Sequence, residues 1–340
     1  MPTGVGAAIG GYAGDALPIA RAVSQVCDHL ITHPNVLNGA HLYYPIANAL
    51  YVEGYALDQF AKGEWGLAPV PHNAIGLIFD QGIEPELRTR HLQVADAARA
   101  TLGLTLTDYV ITDQPLGVEL RLAESGASWG TIANPASLLR AADKLLSHTN
   151  ATAIAVIARF PDEVETEVLQ NYRYGAGVDP LAGAEAVISH LLVRHCQVPC
   201  AHAPALSPLP LDPEISPRAA AEELGHTFLP CVLIGLSRAP QYRTGSPLPP
   251  GTLWQKDVDA VIVPASACGG AALMRFSQTH TRIIAVENNT TQLMVTAESL
   301  GISVLRVNSY LEAIGVLCAD RAGINLNCFT PNFPSLQCLP

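Results

Sequence analysis

Apolar residues in this chain gather into short, nearly continuous runs, each ending in a polar or small-residue turn. The runs are "DHLITHP" (28–34), "NAIGLIFD" (73–80), "DYVITD" (108–113), "ATAIAVIARF" (151–160), "PCVLIGLS" (230–237), "DAVIVPA" (259–265) and "TRIIAVENN" (281–289). They do not alternate between apolar and polar positions, which predicts strands covered on both faces. Helical spacing fills the intervals at 14–28, 84–103, 135–147, 180–195, 216–225, 270–279 and 308–320. Asn134-Pro135 and Asp179-Pro180 each read as an N-cap followed by proline in the first turn. Strands alternating with helices predict an α/β fold with largely parallel, Rossmann-like sheet or sheets and helices on both faces.

Two Pro-rich stretches, 204–217 and 238–255, read as loops. The second is long enough for a lid or an interface arm. "SHTNAT" near 145–151 marks a division into an α/β lobe at 1–148, a second at 149–326 and an extended tail at 327–340. A single family-wide domain fits the same pattern.

Of the 340 residues, 49% are hydrophobic and 14% charged, yet no apolar run reaches the length of a bilayer crossing. The excess fits two-sided burial and a subunit interface, so a homo-oligomer is expected and no membrane partner is. Lysine and arginine number 19 against 30 acidic residues, a net charge of −11 with no basic cluster, which argues against nucleic acid as a partner. "MPTGVGAAIGG" lacks the charged start and apolar core of a signal peptide, so a cytoplasmic location and reduced thiols for the eight cysteines are expected.

Parallel sheets bind ligands beyond the carboxyl ends of their strands. There the sequence places His33, Asp80, Asp113, Arg159 with Asp162, Ser237 with Arg238, Cys268, and Glu287 with Asn288 and Asn289. Such residues also cap turns and helices, so both readings stand for each. Cys268 precedes Gly269, Gly270 and a helix. A helix start lowers a thiol pKa, and glycine amides hold an oxyanion, so the segment reads as a cysteine nucleophile or as a small residue in a crowded turn. His202 or His72 would supply the base, and Asp113 or Asp162 an orienting carboxylate. Arg159 and Arg173 suit a carboxylate or phosphate, with Asn288 and Asn289 as further substrate contacts. "GVGAAIGGYAGDA" (4–16) and "ESGASWGT" (124–131) read either as anion-binding turns or as tight packing. The first departs from a dinucleotide fingerprint at Ile9, and no motif names a cofactor. "RHCQVPCAHAP" (194–204) holds metal-ligand types without zinc-module spacing.

"HPNVLNGA", "YVEGYALD", "ARFPD", "GVDPLAGAEAVISHLLV", "PCAHAPA", "ACGGAA" and "VNSYLEAIGVL" together resemble an uncharacterised family of unknown function, found chiefly in cyanobacteria and plant plastids. The resemblance covers nearly the whole chain. It implies a soluble cytoplasmic or stromal protein with one family-wide domain, and carries no catalytic residue.

The residues point first to an enzyme (hydrolase, lyase or transferase) acting on a small anionic or amide-bearing metabolite through Cys268. The second reading is a Mg2+- or Mn2+-dependent enzyme on a phosphorylated substrate, with Asp80, Asp113, Asp162 and Glu287 gathered around the metal. The third is a non-catalytic homo-oligomeric binding protein.

Overall fold

The computed structural model describes residues 6–39, 44–123, 128–162, 166–208, 210–223, 228–245 and 248–338. Its architecture is the Rossmann-like α/β arrangement the apolar runs predict. The central sheet has four parallel strands in the order Leu106–Ile111, Ile75–Phe79, Ala153–Arg159, Cys200–Ala205. Both inner strands are buried almost throughout, which is why they read as unbroken hydrophobic runs. Alternate residues feed two cores. Ile75, Leu77, Phe79, Ala155 and Ile157 face one, with helix Leu229–Ser237 and helix Pro85–Leu102 packed over them. Ile78, Ile154, Val156 and Ala158 face the other, under helix Pro135–His148 and helix Ala182–Cys196.

A second parallel sheet orders Ala260–Pro264, Arg282–Val286 and Leu305–Val307. Ile262, Ile284 and Val286 join the first core, so the two sheets share packing. The central sheet takes two strands from each side of the 148/149 division.

One strand expectation fails. "PCVLIGLS" lies within helix Leu229–Ser237, with proline in its first turn. A short run that is apolar all round suits a buried helix as well as a buried strand, and here burial on most sides hides any helical face. Cys231 is therefore a helical residue, its thiol donating to the Gly39 carbonyl. The hairpin of Val118–Leu122 with Ser128–Ile132 had no clear signal in the sequence. Residues 124–127, including Ser125 of the second glycine-rich stretch, lie outside the described residues.

Candidate functional site

From Ile75–Phe79 the chain crosses to one neighbour, and from Ala153–Arg159 it crosses the other way. The carboxyl ends of these two strands therefore flank the topological switch point, where α/β sheets open a crevice. A cleft of about 330 Å³ lies there, lined by Asp80, Gly82, Arg159, Phe160 and Asp162 among others. The sequence placed Asp80, Arg159 and Asp162 at strand ends, and the structure brings them together. Their polar atoms, however, are already used. Asp80 is 1% exposed. Its Oδ1 accepts from the Gly82 and Leu116 amides, both at 2.9 Å, and its Oδ2 from the Arg159 amide at 3.1 Å. The Arg159 guanidinium is held by Glu84 on one side and by Asp162 at 2.6 and 2.9 Å on the other. Asp162 also accepts from the Ser207 amide and hydroxyl, and the guanidinium pulls its carboxyl down to about 2. This crevice is braced by its own charges.

The other expected residues are dispersed. Asp113 is exposed and clasped in bidentate fashion by Arg140 at 2.7 and 2.8 Å, with Ser137 as a further donor, so its pKa falls to about 2. Glu287 pairs with Arg306. Asp113 and Glu287 thus have partners of their own, apart from Asp80 and Asp162, which share Arg159, and among the described residues no group of three His, Cys, Asp or Glu is placed to hold a metal. Arg173 is buried, and its Nη2 braces the 207–216 segment through the Pro210 carbonyl. Asn288 is exposed, its amide bound to the Asn308 carbonyl.

Cys268 is fully buried in a small apolar cluster with Val263, Leu273, Ile283 and Ala297. Its thiol donates weakly to the Ala265 carbonyl at 3.5 Å. Burial pushes its pKa up, the reverse of the activation expected from a helix start. The helix that follows, Ala271–Phe276, has only six residues, and Gly269 and Gly270 line neither cleft. His202 is engaged elsewhere: its Nδ1 meets Ser189 Oγ at 2.6 Å and its Nε2 meets Glu185 at 3.3 Å. Glu185 and Ser189 stand one helical turn apart and so share a face. Although the three resemble a serine triad in sequence of contacts, Ser189 is 3% exposed in mid-helix, out of reach of a substrate. In "RHCQVPCAHAP" the helix ends at Cys196, which separates Cys196 from the strand that carries Cys200 and His202.

A larger cleft, about 610 Å³, forms where two distant glycine-rich segments meet: Gly6–Gly11 on one wall and Gly175–Gly177 on the other. Gly175 and Gly177 have φ of +96° and +88°, a region closed to most side chains. The N-terminal segment is pinned by buried Asn289, whose Oδ1 accepts from the Ile9 amide and whose Nδ2 donates to the Ile9 carbonyl, each at 2.9 Å. Asn289 is thus a brace for a cleft wall, not a substrate contact.

Between the walls, Tyr12 and Tyr172 pack ring on ring with centroids 4.6 Å apart. Tyr12 Oη donates to the Tyr172 carbonyl at 2.9 Å, and Tyr172 Oη donates to Glu222 Oε2 at 2.6 Å. Arg218 lines the cleft, its Nη1 held by Asp15 at 3.0 Å. Among the described residues its other nitrogens have no hydrogen-bond partner. Burial raises the Glu222 carboxyl to about 7, with Glu185 and Asp15 adding repulsion against the Tyr172 hydrogen bond. Asp179, beside it, is raised well above the carboxylate range by burial and by Glu185 and Glu222. Reading the sequence from strand ends passed over Tyr12, Tyr172, Arg218 and Glu222. The glycine stretches that frame them were the available signal, in "GVGAAIGGYAGDA" and "YRYGAGVDP".

Fold and clefts define a Rossmann-like α/β protein with a braced switch point and a second, open, glycine-walled cleft. The chain belongs to the family described as protein of unknown function DUF3326, which it matches over residues 1–330. It is 60% identical over 331 residues to an uncharacterised lipoprotein of Synechococcus sp., covering 97% of this chain and 92% of that protein. No solved structure matches it. The relative's name overturns the cytoplasmic location expected from the N-terminal residues. A lipoprotein is held by an acyl chain, which needs no spanning helix. Among the described residues no helix is long and apolar enough to cross a membrane.

Proposed function

We propose that this protein is an enzyme acting on a small anionic metabolite in the glycine-walled cleft, by acid–base rather than cysteine chemistry. The observation that carries the reading is the meeting of residues 6–11 with 175–177 around Arg218. The Ala8, Ile9, Gly10, Gly175 and Ala176 amides are spent within the fold, so the counter-charge comes from the Arg218 guanidinium, whose further donors have no partner among the described residues, beside a backbone that glycine keeps open to close approach. The switch-point crevice supports this less well, because Arg159 is occupied by Glu84 and Asp162. A carboxyl poised near neutrality behind the cleft, reached through the Tyr172 hydroxyl, is suited to proton transfer. The buried Cys268 favours this over covalent catalysis. The lipoprotein name of the Synechococcus relative supports a place at a membrane surface for this chain as well.

The test is a thermal-shift screen of small carboxylates and phosphate esters on the full chain, repeated on Arg218→Ala and Arg159→Ala. Stabilisation should vanish in Arg218→Ala and persist in Arg159→Ala. Stabilisation that survives in Arg218→Ala refutes this assignment.

A further inference from the structure

We propose that the glycine-walled cleft takes up its anion together with a proton, and that Glu222 holds that proton. The inference rests on the reading of this cleft as an anion site.

Arg218 is the cation lining the cleft. Behind it stand Asp15, on the loop before the first helix, Asp179, on the loop after Gly177, Glu185 on helix Ala182–Cys196, and Glu222 on Arg218's own short helix. Asp15 engages Arg218 directly. Glu185 faces His202. Glu222 and Asp179 have no cationic partner among the described residues. Glu222 instead accepts neutral donors, the Tyr172 hydroxyl at 2.6 Å and the Ala13 amide at 3.3 Å. The remaining titratable face is Tyr12, stacked on Tyr172.

With Asp15, Glu185 and Glu222 ionised, an anion entering beside Arg218 would meet a net negative wall at short range and in partly desolvated surroundings, where repulsion is strong. Protonating Glu222 removes the charge nearest Tyr172 and turns the carboxyl into a donor. Tyr172 lines the cleft, so its hydroxyl can then accept from Glu222 and turn its own proton toward the anion. The polar chain Glu222–Tyr172 thereby changes from a wall that repels an anion into one that binds it. Burial already pushes Glu222 to about 7, so the proton is available near neutral pH.

Linkage makes this measurable. A ligand that binds only the protonated form takes up about one proton above the group's pKa, and its affinity falls about tenfold per pH unit there. The probe is sulfate, which keeps its charge across the range. Sulfate is titrated calorimetrically into the full chain at pH 6, 7 and 8, in two buffers of different ionisation enthalpy. The expected result is binding that weakens from pH 7 to pH 8 with net proton uptake, and is lost in Arg218→Ala. Glu222→Gln, neutral and of the same shape, should bind sulfate with little pH dependence and no uptake. Sulfate binding without proton uptake in the unmodified chain overturns the inference and leaves the anion site standing. Uptake that persists unchanged in Glu222→Gln also overturns it. Failure to bind at pH 6, or binding that survives in Arg218→Ala, overturns the anion site itself. Should Glu222→Gln fail to fold, the proton count on the unmodified chain still decides.

Discussion

The Tyr172 hydroxyl donates to Glu222 Oε2 across 2.6 Å, tying helix Thr166–Arg173 to helix Pro217–Glu223 behind the cleft. Tyr172 is 7% exposed, so the donor end of this bond is largely removed from water. A bond of this kind to an ionised acceptor contributes more than a neutral one.

Tyr172→Phe should cost about 1–3 kcal/mol of stability at pH 8, the usual range for a lost buried bond to a charged acceptor. The cost should shrink at pH 5.5, where Glu222 carries its own proton. The sign follows from the raised carboxyl. Between the ordinary 4.5 and about 7 the folded chain holds a proton that the unfolded chain releases. This group's share of stability is therefore full below 4.5 and lost as pH rises through 7. Urea unfolding of the unmodified chain, Tyr172→Phe and Glu222→Gln at both pH values checks both effects. Glu222→Gln should lose less stability on going from pH 5.5 to 8, and identical losses would show an ordinary carboxyl.

Asp80 joins three backbone segments with one carboxylate, through the amides of Gly82, Leu116 and Arg159. Asp80→Ala leaves three donors without their acceptor at a buried strand end. The expected cost is on the order of 3 kcal/mol or more, given about 1–3 kcal/mol for each buried group left unsatisfied. Chemical denaturation measures it. A loss below about 1 kcal/mol would mean that water replaces the carboxylate and that the crevice is more open than its bracing implies.

The middle of the central sheet was legible because its two inner strands are buried on both faces, and two-sided burial writes itself as continuous apolar runs such as "ATAIAVIARF". The same property hid helix Leu229–Ser237, since burial on most sides removes the polar face by which a helix is recognised. At the site, the strand-end rule found Asp80, Arg159 and Asp162, whose position follows from local chain direction. It could not show that they satisfy one another, because Glu84 is 75 residues from Arg159 in sequence. The open cleft depends on contacts longer still, such as Asn289 with Ile9 across 280 residues. Pairings at that range leave no trace in local pattern.

Cys268 should alkylate slowly, with the other buried cysteines Cys200 and Cys231. It is fully buried and its thiol is pushed up by desolvation, so both access and thiolate fraction are low. Cys318 and Cys328 are exposed and should react first. Peptide mass spectrometry after timed alkylation at pH 7 and 9 ranks them. Fast reaction at Cys268 with a midpoint below the usual thiol value of about 8.5 would restore it as a nucleophile.

His33 and His190 should titrate in opposite directions. His33 caps helix Pro34–Leu37, its Nδ1 accepting from the Asn35 amide at 3.2 Å. Burial lowers its pKa to about 4, against the pull of Glu53. His190 is half exposed and its Nε2 meets Glu53 at 2.9 Å, which raises its pKa above the ordinary 6.5. Histidine proton resonances followed from pH 4 to 8 should therefore show one ring neutral until about pH 4 and another charged above 6.5. The two contribute with opposite sign to stability. His33 is protonated more readily in the unfolded chain, so its share is present above 6.5 and lost as pH falls toward 4. His190 gains a partner on folding, so its share is present below 6.5 and lost as pH rises through its elevated value. Glu53→Gln separates the two causes. It should drop His190 back toward 6.5 and leave His33 low, because desolvation rather than charge sets the latter. A His33 that rises to an ordinary value in the unmodified chain would show that water reaches the cap of helix Pro34–Leu37.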